Sequence, residues 1–361
     1  MEVYILDDQL RRIEVFDRFE SMIWTERYNA FGDFQLVIYS SSKARSLFVN
    51  DTWISITSSK RVMTIDNVLA TEDSDGKNFL TITGRSMEAW MLGRVNRRNL
   101  SSTSAPGPLT QTGTPYNIAT ALFSMYCINN TFIPEDNLPF YTAGTLYPAD
   151  TIPMPTTQYT VEFDIEPVYD SIKNLLDMFD MGFRIYKGPD TSKLYFNVYS
   201  GSDRTSRQTT RPAIIFSPDL DNLTNVADLR SKEDYRNVAY VFGKNGSRIV
   251  YASGASASTT GFERRVMHVS ASDIDLPAGS ALDAALLQRG NKELSKARTL
   301  HSMDGEISQL SEYKYDSEYC LGDIVEIRRD DGYTNYMRVT EQIFVDDGEG
   351  ERSYPTLDHD V

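Results

Sequence analysis

Glu162 with Asp164, and Glu233 with Asp234, are the carboxylate pairs that could serve a glycoside hydrolase. Such an enzyme needs one acid to protonate the leaving oxygen and a second as base or nucleophile. With 51 acidic residues in the chain, nearness in sequence alone assigns neither pair that role. His268, His301 and His359 are the only histidines, and each stands alone between residues of strand or tail character, which argues against a metal centre. Gly243-Lys244-Asn245-Gly246-Ser247 resembles a phosphate loop, but Asn-Gly between two alternating apolar runs makes a hairpin turn. Asp73-Ser74-Asp75-Gly76 and Asp346-Asp347-Gly348 start like calcium loops, lack the later ligands and distal glutamate, and read as hairpin tips. Cys127 and Cys320 are too few and too distant for a zinc set or a disulfide framework, so both are expected to be thiols from a reducing cytoplasm. No Gly-x-Ser-x-Gly elbow, eight-residue P-loop or His-Glu-x-x-His occurs. The 21 tyrosines could stack on sugars, yet Tyr in strands is ordinarily half-buried sheet filler. No catalytic, cofactor-binding or metal residue is therefore assigned; the expectation is a chain that is not an enzyme and takes no cofactor.

The elements that would position any site are mostly strands. Residues 1–7, 11–17, 34–40, 53–58, 61–72 and 77–84 carry alternating or short apolar runs at the spacing of a sandwich or barrel. A short helix over 86–92, with Gly93 behind it, closes this unit. Residues 99–115, rich in Ser, Thr, Pro and Gly, read as a linker that is exposed or ordered only by a partner. Thr114 and Pro115 open a helix through Ile118, Leu122, Met125 and Tyr126. A second helix over 167–181 puts Val168, Ile172, Leu175, Leu176 and Phe179 on one face, and strands over 183–188 and 193–201 follow. From about 230 the strand rhythm returns, interrupted by a helix over 280–299. The fold class is α+β, mainly β: residues 1–98 form a first antiparallel barrel with its closing helix, 99–229 a linker and α+β insert, and 230–361 a second barrel.

Charge and composition exclude several classes. With 36 basic and 51 acidic residues the net charge is −15, and no Lys/Arg-rich run longer than a pair occurs, so a general nucleic-acid binder is excluded. An apolar fraction of 40% is too high for a disordered chain, and no run of about 18 apolar residues spans a bilayer. The acidic, alternating start lacks the layout of a signal peptide. Among the cations 25 are Arg and 11 Lys, a ratio that favours assembly, since Arg tolerates partly buried, multiply bonded positions at interfaces.

Several segments, in order, carry a resemblance. Trp24 to Leu36, with Phe31-Gly32-Asp33-Phe34 inside it, resembles the tryptophan, aromatic, Gly-acid-Phe-x-Leu signature near the start of siphophage minor tail proteins. Leu80 to Glu88 is similar to their strand-Gly-Arg-Ser-helix junction. Leu175 to Phe183 and Tyr235 to Val241 are similar to the middle helix and the strand opening the second barrel. Tyr319 to Val325 resembles the Gly-Asp-x-Val hairpin of the last barrel. The chain thus resembles tail-tip, or baseplate-hub, proteins and the N-terminal structural module of tail-associated lysins.

That resemblance implies two tail-tube-like barrels with an insert between them, assembled as a homotrimeric ring that caps the tail tube. It implies the distal tail protein, the tape-measure protein and other baseplate proteins as partners, DNA passing without specific binding, and a place at the virion tail tip after synthesis in the bacterial host cytoplasm. Lysin relatives carry a C-terminal hydrolase or host-binding module; the end at Val361 is expected to leave that activity out. A cell-wall glycosidase and a glycan-binding receptor module remain the alternatives. Trp24 and Phe34 are expected to be core or inter-subunit packing residues. Arg94, Arg97 and Arg98 read either as contacts to neighbouring subunits or as a solvated basic cluster.

Overall fold

The structure, a computed structural model, describes residues 1–72, 74–97, 109–131, 133–143, 152–188, 192–272, 274, 276–307, 313–328 and 334–359. Seven strands open the chain: β1 (Val3–Leu6), β2 (Arg12–Phe16), β3 (Ser21–Arg27), β4 (Asp33–Tyr39), β5 (Trp53–Ile56), β6 (Met63–Glu72) and β7 (Asn78–Ser86), with α1 (Ser42–Leu47) between β4 and β5. Alternation builds them. In β4, Phe34, Leu36 and Ile38 are buried while Gln35 and Tyr39 face out. β3 is absent from the six runs read off the sequence, because its period breaks: Thr25 and Glu26 are buried in succession beside Trp24. After β7 a 3-10 helix, Met87–Gly93, stands where the short helix is expected.

The middle of the chain supplies β8 (Leu109–Gly113), α2 (Pro115–Phe123), β9 (Tyr141–Ala143), β10 (Tyr159–Phe163), α3 (Val168–Asp177), β11 (Gly182–Lys187) and β12 (Leu194–Tyr199). Thr114 caps α2 through its side chain, which accepts from the Asn117 amide, and Pro115 sits in the first turn as read. α2 and α3 lay Ile118, Leu122, Ile172 and Leu176 against β11 and β12, where Phe123 stacks on Phe196 at 4.1 Å. The linker reading needs correction at its end. Residues 109–113 are β8, paired antiparallel with β10, because Leu109 and Gly113 alternate inward and the Thr side chains between them suit a pleated strand. Residues 99–108 of that stretch lie outside the described residues, as do Asp73 and Arg98.

The last part holds β13 (Ile215–Phe216), β14 (Leu223–Ser231), β15 (Val238–Gly243), β16 (Ser247–Tyr251), β17 (Val266–Ala271), α4 (Ser280–Lys296), β18 (Leu300–Ile307), β19 (Ile324–Arg328), β20 (Thr334–Asp347) and β21 (Gly350–His359). β15, β16 and β17 form a sheet of their own, with β15 and β17 parallel; a parallel pair needs a long crossover and does not extend an antiparallel barrel.

One sheet joins the two ends of the chain. Its order is β14-β18-β21-β20-β3-β4-β7-β6-β5-β1-β2, with β19 on β20 and β13 on β19. β3 and β20 pair antiparallel, Trp24 opposite Phe344. The sheet curls round two separate cores. Val3, Trp24, Phe34, Leu36, Ile54, Ile65 and Ile82 fill the first, together with Phe344 from β20. Phe216, Tyr319, Val325, Ile327, Met337, Val339 and Leu357 fill the second. β20 is the 14-residue strand that serves both. Among the described residues the strand path stays open and ends on β2 and β14.

Both cysteines are free, and Cys127 is fully buried. Burial pushes each thiol up to about 12, and the charges of Asp323 and Asp316 add to the effect at Cys320. Since the thiolate is the nucleophile, alkylation at pH 8 is expected to run at least about a hundredfold slower in the native than in the denatured chain. Mass spectrometry of timed iodoacetamide labelling checks this; rapid native labelling of either cysteine would contradict the burial.

Candidate functional site

The residues that could do chemistry are scattered and committed elsewhere. Asp164 pairs with Arg289 at 3.0 Å, while Glu162 meets Gln288 through its main chain, so these two positions fasten α4 to β10 and to the loop after it. Glu233 and Asp234 are exposed in the connection between β14 and β15. His268 lies on β17 and stacks on Phe242; His301 and His359 belong to β18 and β21, and their side chains fall outside the described residues. Among the described residues no three His, Cys, Asp or Glu side chains gather as a metal site. The Gly243–Ser247 stretch is a hairpin turn, closed by the Gly243 amide on the Gly246 carbonyl at 2.8 Å. Asp347 holds Arg352 at 2.8 Å at the β20–β21 turn. Arg94 donates to the carbonyls of Asp136 and Gly93, so its guanidinium serves its own chain.

What the fold does bring together is a buried polar junction to which the sequence reading assigns no role. Glu26 on β3, Arg61 between β5 and β6, and Glu88 in the 3-10 helix are at most 7% exposed at their side chains. Arg61 Nη1 donates to Glu88, and its Nε lies 3.7 Å from Glu26. Burial alone would lower the affinity of this guanidinium for its proton, but the two carboxylates outweigh it and hold the proton more tightly than usual. Glu88 also accepts from the Ile185 amide of β11 at 2.6 Å. Glu26 accepts from Tyr315 at 2.9 Å, from the Trp24 indole at 3.2 Å and from Ser59. Burial pushes the Tyr315 hydroxyl well above its ordinary range, so it stays a donor to that carboxylate. One cluster of charge thus holds the first unit, the middle unit and the loop before β19.

A second junction lies alongside. Tyr28, just past β3, donates to the carbonyls of Asp180 and Tyr199, and its ring meets Tyr199 edge-on at 5.1 Å. Gly182 and Gly322 face that ring so closely that an added Cβ would come within 2.3 and 2.5 Å of it, and Gly322 also has φ +89°. Arg338 of β20 crosses the ring at 5.2 Å and donates to the Ser200 and Gly322 carbonyls. The Tyr28, Glu88 and Gly182 positions fall within segments that carry the family resemblance, whereas Arg61 lies outside all of them, an ordinary charged residue after Ser58, Ser59 and Lys60 in the sequence. These junctions contain no activated nucleophile and are sealed; their chemistry is to lock three units in one arrangement.

Comparison with known proteins follows the same line. A family model described as Siphovirus ReqiPepy6 Gp37-like protein matches residues 2–355. A search of curated proteins returns no match. Among solved structures, a tail protein from Neisseria meningitidis MC58 is similar with TM-score 0.58 and 13% identity, over 99% of this chain and 96% of that one. The 43 kDa tail protein of prophage MuSo2 from Shewanella oneidensis gives 0.56 and 11%, over 99% and 97%. Prophage tail protein gp18 from Listeria monocytogenes EGD-e gives 0.50 and 12%, over 100% and 95%. At these identities the likeness is one of fold. No helix among the described residues is long and apolar enough to cross a membrane.

Proposed function

The chain belongs to the Siphovirus ReqiPepy6 Gp37-like protein family, and on that premise we propose that it is a structural hub at the tail tip of a long-tailed phage or prophage. The observation that carries this reading is the pair of cores wrapped by one sheet and sharing β20, in a fold matched end to end by phage tail proteins. Two similar curled units per chain are what a three-fold ring needs to dock on a six-fold tube: three copies present six units. The proposed division is barrel, insert and barrel over 1–98, 99–229 and 230–361, with β13 and most of β14 lent to the second core from the insert and β15–β17 with α4 standing beside it as a unit of their own, each barrel standing for one position of the tube wall.

In this role the buried junctions matter more than any pocket. A hub transmits load between the tube and the components around it, and rigid coupling of the two curled units keeps their spacing fixed. The net charge of −15 suits a ring through which DNA slides, since an acidic wall does not hold phosphate. The distal tail protein, the tape-measure protein and other baseplate proteins are the partners of such a ring, and catalysis is not part of the role.

Electron microscopy of the assembled virion tests this. The expected result is density for three copies at the end of the tail, with the two curled units of each copy alternating around the axis. A peripheral fibre position, or one copy per tail, would overturn the reading.

A further inference from the structure

The buried junctions tie three of the cores together, and the fourth stands outside them. The unit made of β15, β16, β17 and α4 packs on itself: Val241, Val250 and Val269 are closed over by Leu282, Leu286 and Leu294. α4 comes so near its sheet that a Cβ on Gly290 would fall 2.5 Å from Val250, so helix and sheet form one piece. Among the described residues no apolar side chain of this unit belongs to any of the other cores.

The chain enters and leaves the unit at one place. β14 and β18 pair as far as Ser231 opposite Leu300, and β14 is itself an end of the strand path. The two connections beyond, 232–237 and 297–299, run side by side and are joined by the Arg236 amide on the Ala297 carbonyl at 2.8 Å. A rotation at these connections breaks no strand pair, which is the form of a hinge.

What holds the unit against the body is polar. From α4, Arg289 reaches Asp164 at 3.0 Å and Lys292 reaches Glu166 at 3.6 Å; just past the helix Arg298 pairs with Asp180 and donates to the Asp177 carbonyl at 3.1 Å. The cations of this set stand on the unit and its connection, the carboxylates on the middle unit. Asp164 and Asp180 are half exposed, so water and salt reach their pairs and weaken them. Burial holds the Glu166 carboxyl above its ordinary range in spite of Lys292, so desolvation offsets part of the attraction in that pair.

Between these ion pairs Gln288 stands in for a neighbouring strand. Its carboxamide accepts from the Glu162 amide at 3.4 Å and donates to the Glu162 carbonyl at 3.2 Å, along the edge of β10 that β8 leaves free. A free edge is where an extended segment can add to a sheet. We infer that the unit of β15, β16, β17 and α4 is a hinged flap, closed by an ionic latch, that covers the free edge of β10 and uncovers it on opening. The flap is a device of the single chain and does not depend on the hub reading.

Hydrogen exchange of the full chain, read by mass spectrometry at single-residue resolution, tests this. Raising the salt to about 1 M is expected to speed exchange of the Glu162 amide, while the amides of β15, β16, β17 and α4 keep their protection. Arg289→Glu combined with Lys292→Glu sets like charges against Asp164 and Glu166, and is expected to speed the Glu162 amide at least about tenfold at low salt. Asp164→Arg combined with Arg289→Glu exchanges the partners of one pair and is expected to return that amide toward its wild-type rate. A Glu162 amide indifferent to salt and to the charge reversal, or one that the exchanged pair leaves as fast as the reversal does, would overturn the inference. Protection lost across β15, β16 and β17 in step with Glu162 would also overturn it, because the unit would then be unfolding and not turning. None of these outcomes bears on the tail-tip density, by which the hub reading is decided.

Discussion

Replacing Arg61 by leucine is expected to lower the unfolding free energy by about 3 to 5 kcal/mol, because it leaves two buried carboxylates with no cation between them. Glu88 is 0% and Glu26 4% exposed at the side chain, so neither regains water without opening the fold. Glu88 is also the acceptor of the Ile185 amide, and among the described residues its Oε2 has no hydrogen-bond partner, so the loss of Arg61 leaves this carboxylate with that amide alone. The comparison that isolates the ionic term is Arg61→Leu with Glu88→Leu. Removing both members of the closest pair takes away an unpaired charge, and the double variant is expected to be more stable than Arg61→Leu despite the orphaned Ile185 amide, whose burial costs about 1 to 3 kcal/mol. Equilibrium denaturation in urea measures each variant. If Arg61→Leu unfolds at the wild-type midpoint, the junction does not hold the three units together.

That cluster also marks where sequence reading stops. Strands such as β4 and β7 are legible because every second residue is apolar, and α3 because Val168, Ile172, Leu175 and Leu176 recur at helical spacing. The hairpin turn at Asn245-Gly246 and the cap at Thr114 follow from local backbone preferences, which a few residues determine. β3 loses its apolar alternation because the inward position after Met22 and Trp24 is Glu26, which serves Arg61 and Tyr315, while Thr25 on the other face is buried too; no local rule anticipates a buried acid whose partners lie 35 and 289 residues away in sequence. The pairing of β3 with β20 is of the same kind. It joins residues more than 300 apart, and nothing in either strand names the other. The strand rhythm from about 230 is legible, yet the parallel pair of β15 and β17 depends on the crossover geometry between Tyr251 and Val266, which periodicity does not encode. The candidate acids at Glu162 and Asp164 show the converse case: Asp164 proves to be a fastener for α4 once Arg289 and Lys292 are brought next to it, and Glu162 meets Gln288 of the same helix through its main chain.

Trp24→Ala is expected to be as damaging as loss of Arg61, about 3 to 5 kcal/mol, by a different route. Its indole is 0% exposed, stacks on Phe34 at 6.0 Å and sits opposite Phe344 in the β3–β20 register. Truncation empties the point at which the first core meets the strand shared with the second, and a β-sheet paired on both sides cannot collapse into the space. Trp24→Phe separates packing from polarity. It keeps most of the ring volume and loses only the indole N–H that donates to Glu26 at 3.2 Å, so it is expected to cost clearly less than Trp24→Ala. Because β3 joins the two curled units, the loss should appear in both: tyrosines of the second core, such as Tyr319, are expected to report the same lowered transition as the first core. Thermal denaturation followed by circular dichroism and by tyrosine fluorescence reads the two together. Coincident transitions shifted to lower temperature are expected; an unchanged curve would show that Trp24 is not part of the core, and separate transitions would show that β3 and β20 do not couple the two units.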